Sequence, residues 1–390
     1  MGAILPAMTV QKFGGAILRN PEGFRAMVSI VGRHAGHGCV VVVSAIGTTT
    51  RTLASAAKNA SEGAFHSAKE MLHGVAEAHL QLTDAVIRDE QLRRTLRHTL
   101  TEMRNAADNL LKSISVTRTC SARTLDRVLA VGEDLARSIA SAALSEAGLA
   151  AREVDARTLI VTDSAHGNAS PLLEPTCHRV KHALGTSPAG IVVTQGFVAC
   201  SEQGDTTTMG RESSNLSAAL LAACIEASNV TIWTDVEGIR TADPLTCAGT
   251  FPIEHLQYDQ ARIAAAYGLK LLYPTMIEPA EKSGIPMHIA SPWNADAPGT
   301  TIDGLTGSVR PMITTTEHNG RTQVTMLFAP MPLALRAATA VIEAMESSLG
   351  TTEIDLATHA HDQAVTIVLP THAAPEAVRI LHREICENPQ

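Results

Sequence analysis

One stretch constrains the chain more than any other: Thr194-Gln-Gly-Phe-Val-Ala-Cys-Ser-Glu-Gln-Gly-Asp-Thr-Thr-Thr-Met-Gly-Arg-Glu-Ser-Ser-Asn215. It follows the apolar β-branched run Ile191 to Val193 and precedes an alanine- and leucine-rich segment, Leu216 to Ser228, that reads as a helix. A buried strand that empties into glycines, hydroxyls and an arginine, then opens a helix, directs backbone N–H groups and a guanidinium towards one place. A helix N-terminus of this kind is where an anion is held best.

At 390 residues the chain exceeds one ordinary core, and about 150 residues per domain predicts two or three domains. Apolar residues make up 45%, ample for a core, but aromatics only 3%, so aliphatic side chains fill it and stacking platforms for bases are few. A formal charge of -8 and a pI near 6.0 supply no basic footprint, and nucleic acid is not expected as a partner. No run reaches the roughly 18 to 20 apolar residues of a membrane helix. Met1 to Lys12 lacks a charged n-region followed by an apolar core, so a cytoplasmic protein with no membrane partner is expected. Seven cysteines, an odd number without a Cys-x-x-Cys pair, read as reduced thiols. Cys177-His178 has no second ligand pair at zinc spacing and reads as a chance neighbour pair; no metal-ligating residues are expected.

Along the chain, Thr9 to Phe13 reads as a strand running into Gly14-Gly15, Pro21 to His34 as a helix, and Cys39 to Ser44 as a strand buried in a parallel sheet. From Thr52 to about Ala150 the pattern turns helical, with His66, His73, His79 and His98 expected on solvated helix faces. Alternation resumes with strands at Arg152 to Asp155, Gly190 to Val193, Val230 to Trp233 and Pro286 to Ala290. Pro292 to Gly307, rich in proline and glycine, reads as a linker. Beyond it, a strand (Gln323 to Phe328), a helix (Pro332 to Ser348), two strands (Glu353 to Thr358, Ala364 to Leu369) and a helix (Pro375 to Ile385) describe a ferredoxin-like module.

The chemistry concentrates at strand ends, where ligands bind in open α/β sheets. Lys12 ends a strand just before Gly14-Gly15, so its ammonium can lean over a phosphate that the glycine backbones approach. Ser44-Ala-Ile-Gly-Thr-Thr-Thr50 repeats the theme after the second strand. Thr234-Asp-Val-Glu-Gly-Ile-Arg-Thr-Ala-Asp-Pro244 offers carboxylates and hydroxyls suited to a ribose, a base edge or a Mg²⁺ shell, and Lys270 adds a cation at a predicted helix-to-strand transition. Hydroxyls, glycines and single cations at four strand ends point to phosphoryl transfer, which needs charge neutralisation and alignment rather than a covalent nucleophile. Gly-x-Ser-x-Gly and Gly-x-Gly-x-x-Gly are both absent, which argues against acyl transfer and Rossmann redox chemistry.

In this order the motifs resemble those of the aspartate kinases of the amino acid kinase superfamily. The matching segments are Lys12-Phe-Gly-Gly15, Val43 to Thr50, Arg123-Thr-Leu-Asp126 through Gly132-Glu133, Thr206 to Arg211, Trp233 to Pro244 and Gly268-Leu-Lys-Leu-Leu-Tyr-Pro274. The resemblance covers essentially the whole chain. It implies a three-layer α/β sandwich with a mainly parallel sheet over residues 1–306, a helical insertion at about 52–150, and a single ferredoxin-like ACT module over 307–390. It also implies transfer of the γ-phosphoryl group of Mg²⁺-ATP to the β-carboxylate of L-aspartate, and a homodimer formed through the ACT module. Lys12 would stabilise the transferring phosphoryl group, Gly14 and Gly15 would cradle it, and Ser44 and Thr50 would face the substrates. Glu133 would bind the amino acid's ammonium, Arg211 its carboxylate, and Ser214 would help hold it. Thr234, Asp235, Arg240, Asp243 and Lys270 would hold the nucleotide.

This chain departs from the family pattern at several of these positions. The Thr-Ser that follows the glycines in the family is Ala16-Ile17 here, and Arg-Gly-Gly-Ser-Asp is Arg211-Glu-Ser-Ser-Asn215. At the catalytic position Asn215 keeps one acceptor but drops the charge that would orient Lys12, while Glu212 adds a side chain and a charge. Arg240 and Leu245 replace the usual Tyr and Arg, and Arg51 stands where Asp or Asn is usual. Two readings follow besides aspartate phosphorylation: a paralogue that phosphorylates another amino acid carboxylate, or a non-catalytic binding or regulatory subunit. A glutamate or acylglutamate kinase is disfavoured by the Gly132-Glu133 helix and the C-terminal module.

Overall fold

The computed structural model describes residues 8–34, 36, 38–185, 190–349 and 354–387. Most of the Met1 to Lys12 segment inspected for an export signal, and Glu353 at the start of a predicted strand, lie outside them. In chain order the elements begin β1 (Thr9–Phe13), α1 (Pro21–Gly32), β2 (Cys39–Val43), α2 (Thr49–Ser61), α3 (Phe65–Val86), α4 (Glu90–Thr117) and α5 (Ala122–Glu146). They continue with β3 (Ala151–Glu153), β4 (Val161–Thr162), α6 (Leu173–Leu184), β5 (Ile191–Gln195), β6 (Val198–Ser201), β7 (Thr206–Thr208), α7 (Ser213–Ile225) and β8 (Asn229–Trp233). Then come β9 (Ile239–Arg240), β10 (Pro252–Ile253), β11 (His255–Gln257), α8 (Tyr258–Ala266), α9 (Pro274–Ser283), β12 (Met287–Ala290) and β13 (Thr300–Asp303). The last are β14 (Met312–His318), β15 (Arg321–Leu327), α10 (Met331–Leu349), β16 (Asp355–His359), β17 (Ala364–Pro370) and α11 (Ala374–His382). The chain forms two compact units, Met1–Asp235 with Ile285–Asp296, and Val236–Gly284 with Ala297–Gln390.

The first unit is built on parallel strands in the order β12-β8-β1-β2-β5-β3. β1 lies between β2 and β8, with Val10 opposite Val40 on one side and Val230 on the other. Helices cover such a sheet on both faces, so the central strands carry unbroken apolar runs; β2, Cys-Val-Val-Val-Val, is buried at every position. All these strands run the same way, so the loops after β1, β2, β5 and β8 emerge at one end of the sheet. The predicted helical insertion is α2 to α5, packed on a cluster that includes Leu53, Leu72, Leu111, Ile114 and Val128. Asp89 caps α4 and Ser121 caps α5 through the backbone N–H groups of Leu92 and Thr124. Among the four histidines expected on solvated faces, His79 is the exception: it is buried. Cys177 on α6 and Cys224 on α7 form a disulfide, which corrects the expectation of seven reduced thiols.

The second unit holds a four-stranded antiparallel sheet, β14-β15-β17-β16, with α10 and α11 against it. β15-α10-β16-β17-α11 is the predicted ferredoxin-like series, and β14, arriving from the N-terminal side, fills the remaining edge by pairing along its whole length with β15. The segment expected to be a linker contains a strand, β13, and a short 3₁₀ turn at Pro292–Asn294. Lys270 sits in a turn between two helices, α8 and α9, not at a helix-to-strand transition. Pro274 explains the second helix, because proline at the first helical position is pre-set for helix and lacks only an N–H that would be unpaired there anyway.

Candidate active site

Lys12 is the last but one residue of β1 and is only 6% exposed. Its Nζ lies 3.7 Å from where a Cβ would stand on Gly14, so the ammonium does lean over the first glycine of the loop. Among the described residues it makes no side-chain hydrogen bond and no ion pair within 4.0 Å. Burial pulls its pKa down to about 8, and the negative charges of Glu212 and Glu133 partly oppose that shift. The second glycine is required by packing: a Cβ on Gly15 would stand 1.9 Å from the carbonyl oxygen of Ala45. Gly47 N–H donates to Gly15 O at 3.0 Å, so the loops after β1 and β2 are knitted together through backbone.

Glu133 reaches this point from α5. It is 3% exposed and accepts a hydrogen bond from the Ala45 N–H at 2.6 Å. Burial pushes its pKa up to about 8, against the pull of the Ala45 hydrogen bond and of Lys12. A buried ammonium and a buried carboxylate are thus both moved towards neutrality. Ser44 and Thr50 are half-buried on the loop after β2 and in the first turn of α2.

The opening stretch closes the group. Gly196 follows β5, and a Cβ there would stand 2.6 Å from Ser214 Cβ and 2.7 Å from its Cα, so this glycine lets α7 begin against the loop. α7 starts at Ser213, three residues earlier than predicted, which puts Ser214 and Asn215 in its first turn, both buried. Among the described residues the Asn215 Oδ1 has no hydrogen-bond partner. Arg211 is exposed, with no hydrogen bond or ion pair among the described residues, and so presents a free guanidinium. Glu212 holds φ +60, a left-handed conformation that favours glycine. Where the resemblance puts a glycine, this chain thus carries a glutamate in a conformation that favours glycine.

Two residues that the sequence placed in motifs without a site role, Glu212 and Asp126, gain one from the geometry. Glu212 is the larger of the two negative charges acting on Lys12. Asp126, fully buried on α5, accepts from His166 Nδ1 at 2.7 Å, from Gly167 N–H at 3.1 Å and from Thr208 Oγ1 at 2.5 Å. Thr208 ends β7, three residues before Arg211, so Asp126 fixes the strand that presents the guanidinium. The readable signal was spacing: Asp126 and Glu133 lie seven residues apart, two turns along one face of α5.

The expected nucleotide residues fall in both units. Thr234 ends the last strand-loop of the first unit, its N–H donating to Ala290 O at 2.9 Å and its hydroxyl to Asp235 at 3.2 Å. Arg240, Asp243 and Lys270 line one cavity of about 230 Å³ in the second unit. The Arg240 guanidinium is held by the hydroxyl and carbonyl of Thr250. Asp243 turns its own loop by accepting from the Leu245 N–H at 2.9 Å. No three His, Cys, Asp or Glu side chains gather to hold a metal among the described residues.

The sequence model of the Amino acid kinase family matches residues 7–291. Over 303 residues the chain is 30% identical to a chloroplastic aspartokinase 1 of Arabidopsis thaliana, covering 75% of this chain and 51% of that protein. An aspartokinase of Chlamydia pneumoniae is 33% identical over 183 residues, 47% of this chain and 41% of the other. The chain therefore spans about half the length of these curated relatives. The crystal structure of E. coli aspartokinase III in complex with aspartate and ADP superposes with a TM-score of 0.83 at 21% identity, covering 97% of this chain and 99% of that one. An aspartate kinase of Clostridium acetobutylicum gives 0.72 at 16% identity, with 98% and 100% covered. These likenesses establish the fold. Since the family match runs through every parallel strand of the first unit and the loops after β1, β2, β5 and β8, the chain belongs to the amino acid kinase family.

Proposed function

We propose that the chain is an aspartate kinase-like phosphotransferase that moves the γ-phosphoryl group of ATP to the β-carboxylate of L-aspartate. A carboxylate oxygen of the acceptor forms a bond to the γ-phosphorus as the bond to the ADP oxygen breaks, giving 4-phospho-L-aspartate and ADP. The observation that carries this reading is Lys12: a buried, unpaired ammonium above a glycine loop, with two carboxylates acting on it. A positive charge in a dry site stabilises the charge that spreads over a transferring phosphoryl group. Glu133 takes the acceptor's α-ammonium, which favours its ionised form. Arg211 takes a carboxylate through its free fork, and Ser214 adds a hydroxyl. Arg240, Asp243 and Lys270 are assigned to the nucleotide, with Lys270 and Arg240 supplying the positive charge in that cavity.

Mg²⁺, which binds largely through phosphate oxygens and water, would supply charge neutralisation at the phosphates. The C-terminal module is assigned as an ACT unit that pairs with a second copy. β16 is a sheet edge with all five residues exposed, and among the described residues its outer backbone groups are unpaired, a row that a partner can cover. The second reading, a non-catalytic subunit, draws on the unpartnered Asn215 Oδ1.

The deciding experiment incubates the protein with Mg-ATP, aspartate and hydroxylamine, and repeats it with related amino acid carboxylates. Hydroxamate formed from aspartate, and reduced about 10²-fold or more by Lys12→Ala, is the expected result. Hydroxamate from another acid alone changes the acceptor, and nucleotide binding without turnover on any acid selects the non-catalytic reading.

A further inference from the structure

We propose that Gln195 and the ionic cluster around it, Asp134, Arg137, Asp155 and Arg157, are positioning residues for the amino acid acceptor. They fix the roll of α5, and with it the place of the Glu133 carboxylate opposite the start of α7. This rests on the phosphotransfer reading above and adds to it residues outside the acceptor-binding set.

Gln195 ends β5 and is 0% exposed. Its amide offers two N–H donors and an oxygen with two lone pairs, and all of them are met. Nε2 donates to Asp134 Oδ1 and to Asp155 Oδ1, both at 2.9 Å. Oε1 accepts from the Arg137 guanidinium at 2.8 Å and from the Ala156 N–H at 3.1 Å. Arg157 closes the ring, donating to the two oxygens of Asp134 at 2.7 and 2.9 Å and to Asp155 Oδ2 at 2.7 Å. Arg137 also donates to Glu153 at 2.7 Å. Burial raises the Asp134 pKa, and the charges of Arg157 and Arg137 oppose that shift. In a network this dry, taking away one member leaves a charge or an amide unmatched.

The cluster joins two walls of the acceptor site, each through a single peptide bond. Asp134 is the neighbour of Glu133 on α5, and Gln195 is the neighbour of Gly196, the glycine against which α7 begins. Successive residues of a helix point about 100° apart, so while Asp134 holds to Gln195, Glu133 is turned to the Ala45 N–H. The Gly196 N–H donates to Val43 O at 2.9 Å, which ties the end of β5 to the end of β2. Asp155 and Arg157 follow β3, which runs parallel to β5 and so delivers them to the same end of the sheet. A change in the roll of α5 moves Glu133 directly. Thr234, assigned to the nucleotide, follows β8, which β1 and β2 separate from β5. Loss of the cluster is therefore expected at the acceptor and not at the nucleotide, a bias that a merely structural network has no reason to show.

The test is steady-state hydroxamate kinetics of the full chain, varying in turn ATP and the acid that the parent phosphorylates, for Gln195→Leu, Asp134→Asn and Arg157→Lys. Arg157→Lys keeps the charge but loses the planar fork that bridges both carboxylates, and it carries the test with Asp134→Asn where Gln195→Leu does not fold by circular dichroism. The acceptor KM is expected to rise at least about tenfold while the KM for ATP stays within about twofold. Ile114→Val, in the core of the helical insertion, controls for plain loss of stability and is expected to leave both KM values in place. With an active parent, an acceptor KM that no variant moves, equal rises in both KM values, or an equal rise in Ile114→Val overturns this inference alone. A parent that forms no hydroxamate from any acid overturns the phosphotransfer reading and this inference with it.

Discussion

Glu212 combines two roles that pull in opposite directions. Its backbone sits at φ +60, where a side chain costs roughly 1 kcal/mol relative to glycine. Its carboxylate is the larger of the two charges holding Lys12 protonated against burial. The resemblance puts glycine here and an aspartate at the position of Asn215; this chain instead carries its negative charge three residues earlier, just before α7 rather than in its first turn. The sign of the consequence follows directly. In the proposed reaction catalysis needs the Lys12 ammonium, whose pKa is about 8, so kcat/KM is expected to fall as pH rises through that value. Glu212→Gly removes a charge that raises the pKa, and the alkaline limb of the pH profile moves to lower pH while the melting temperature rises. Adding Asn215→Asp to that variant returns the limb towards its original position, and the two changes are non-additive because both act on one ammonium. A pH profile of kcat/KM for the two single variants and the double variant measures this; an alkaline limb that ignores Glu212 sinks the idea.

At the scale of elements, the site depends on how closely α7 can approach the loop after β5. Gly196→Ala places a methyl 2.6 Å from Ser214 Cβ and 2.7 Å from its Cα, so the first turn of α7 must shift. The expected outcome is a loss of about 1–3 kcal/mol in denaturant unfolding together with a fall in kcat, because Ser214 and Asn215 move with the helix. Full activity in a destabilised variant would show that the start of α7 has no such role. The same elements show what the residues reveal before any coordinates. Cys39–Val43 was readable because a strand covered on both faces must be apolar throughout. β14, Met-Ile-Thr-Thr-Thr-Glu-His, was not, because its outer half is exposed and polar and only its pairing with β15 makes it a strand. A helix opening after the glycine- and hydroxyl-rich stretch was legible, whereas the conformation of Glu212 was not, since a glutamate there carries no local sign of φ +60. His79 looked like one of four similar helix histidines; its burial is set by what α3 packs against, which spacing along one helix does not encode.

On the scale of the whole chain, the resemblance places a boundary near residue 306, yet the segment Val236–Gly284 shares a compact unit with the C-terminal module. Ala242 and Cys247 belong to the same apolar core as Val324, Met326 and Leu381. Polar contacts repeat the connection: Ile313 N–H donates to Thr241 O at 2.7 Å, and Tyr267 hydroxyl donates to Asp362 at 2.9 Å. Thr241 Oγ1 accepts from the Phe251 N–H at 2.9 Å and lies 2.8 Å from Nε2 of the fully buried His382 on α11. His382 Nδ1 in turn reaches Glu387 at 3.0 Å. Thr241 follows Arg240 directly, so the loop assigned to the nucleotide is tied to α11 through one hydroxyl. Thr241→Val keeps the volume but leaves the Phe251 N–H and His382 Nε2 unmatched in a buried place, costing about 1–3 kcal/mol. If the loop's conformation is set from the C-terminal module, that variant, still folded by circular dichroism, also binds a non-hydrolysable ATP analogue at least about fivefold more weakly, near 1 kcal/mol. Titration calorimetry of variant and parent decides it: lower stability with unchanged nucleotide affinity would mean that the tie serves the fold alone. Weaker binding would mean that any ligand or second copy settling on the C-terminal module acts on the nucleotide through this contact, with no need to reach the loop around Lys12.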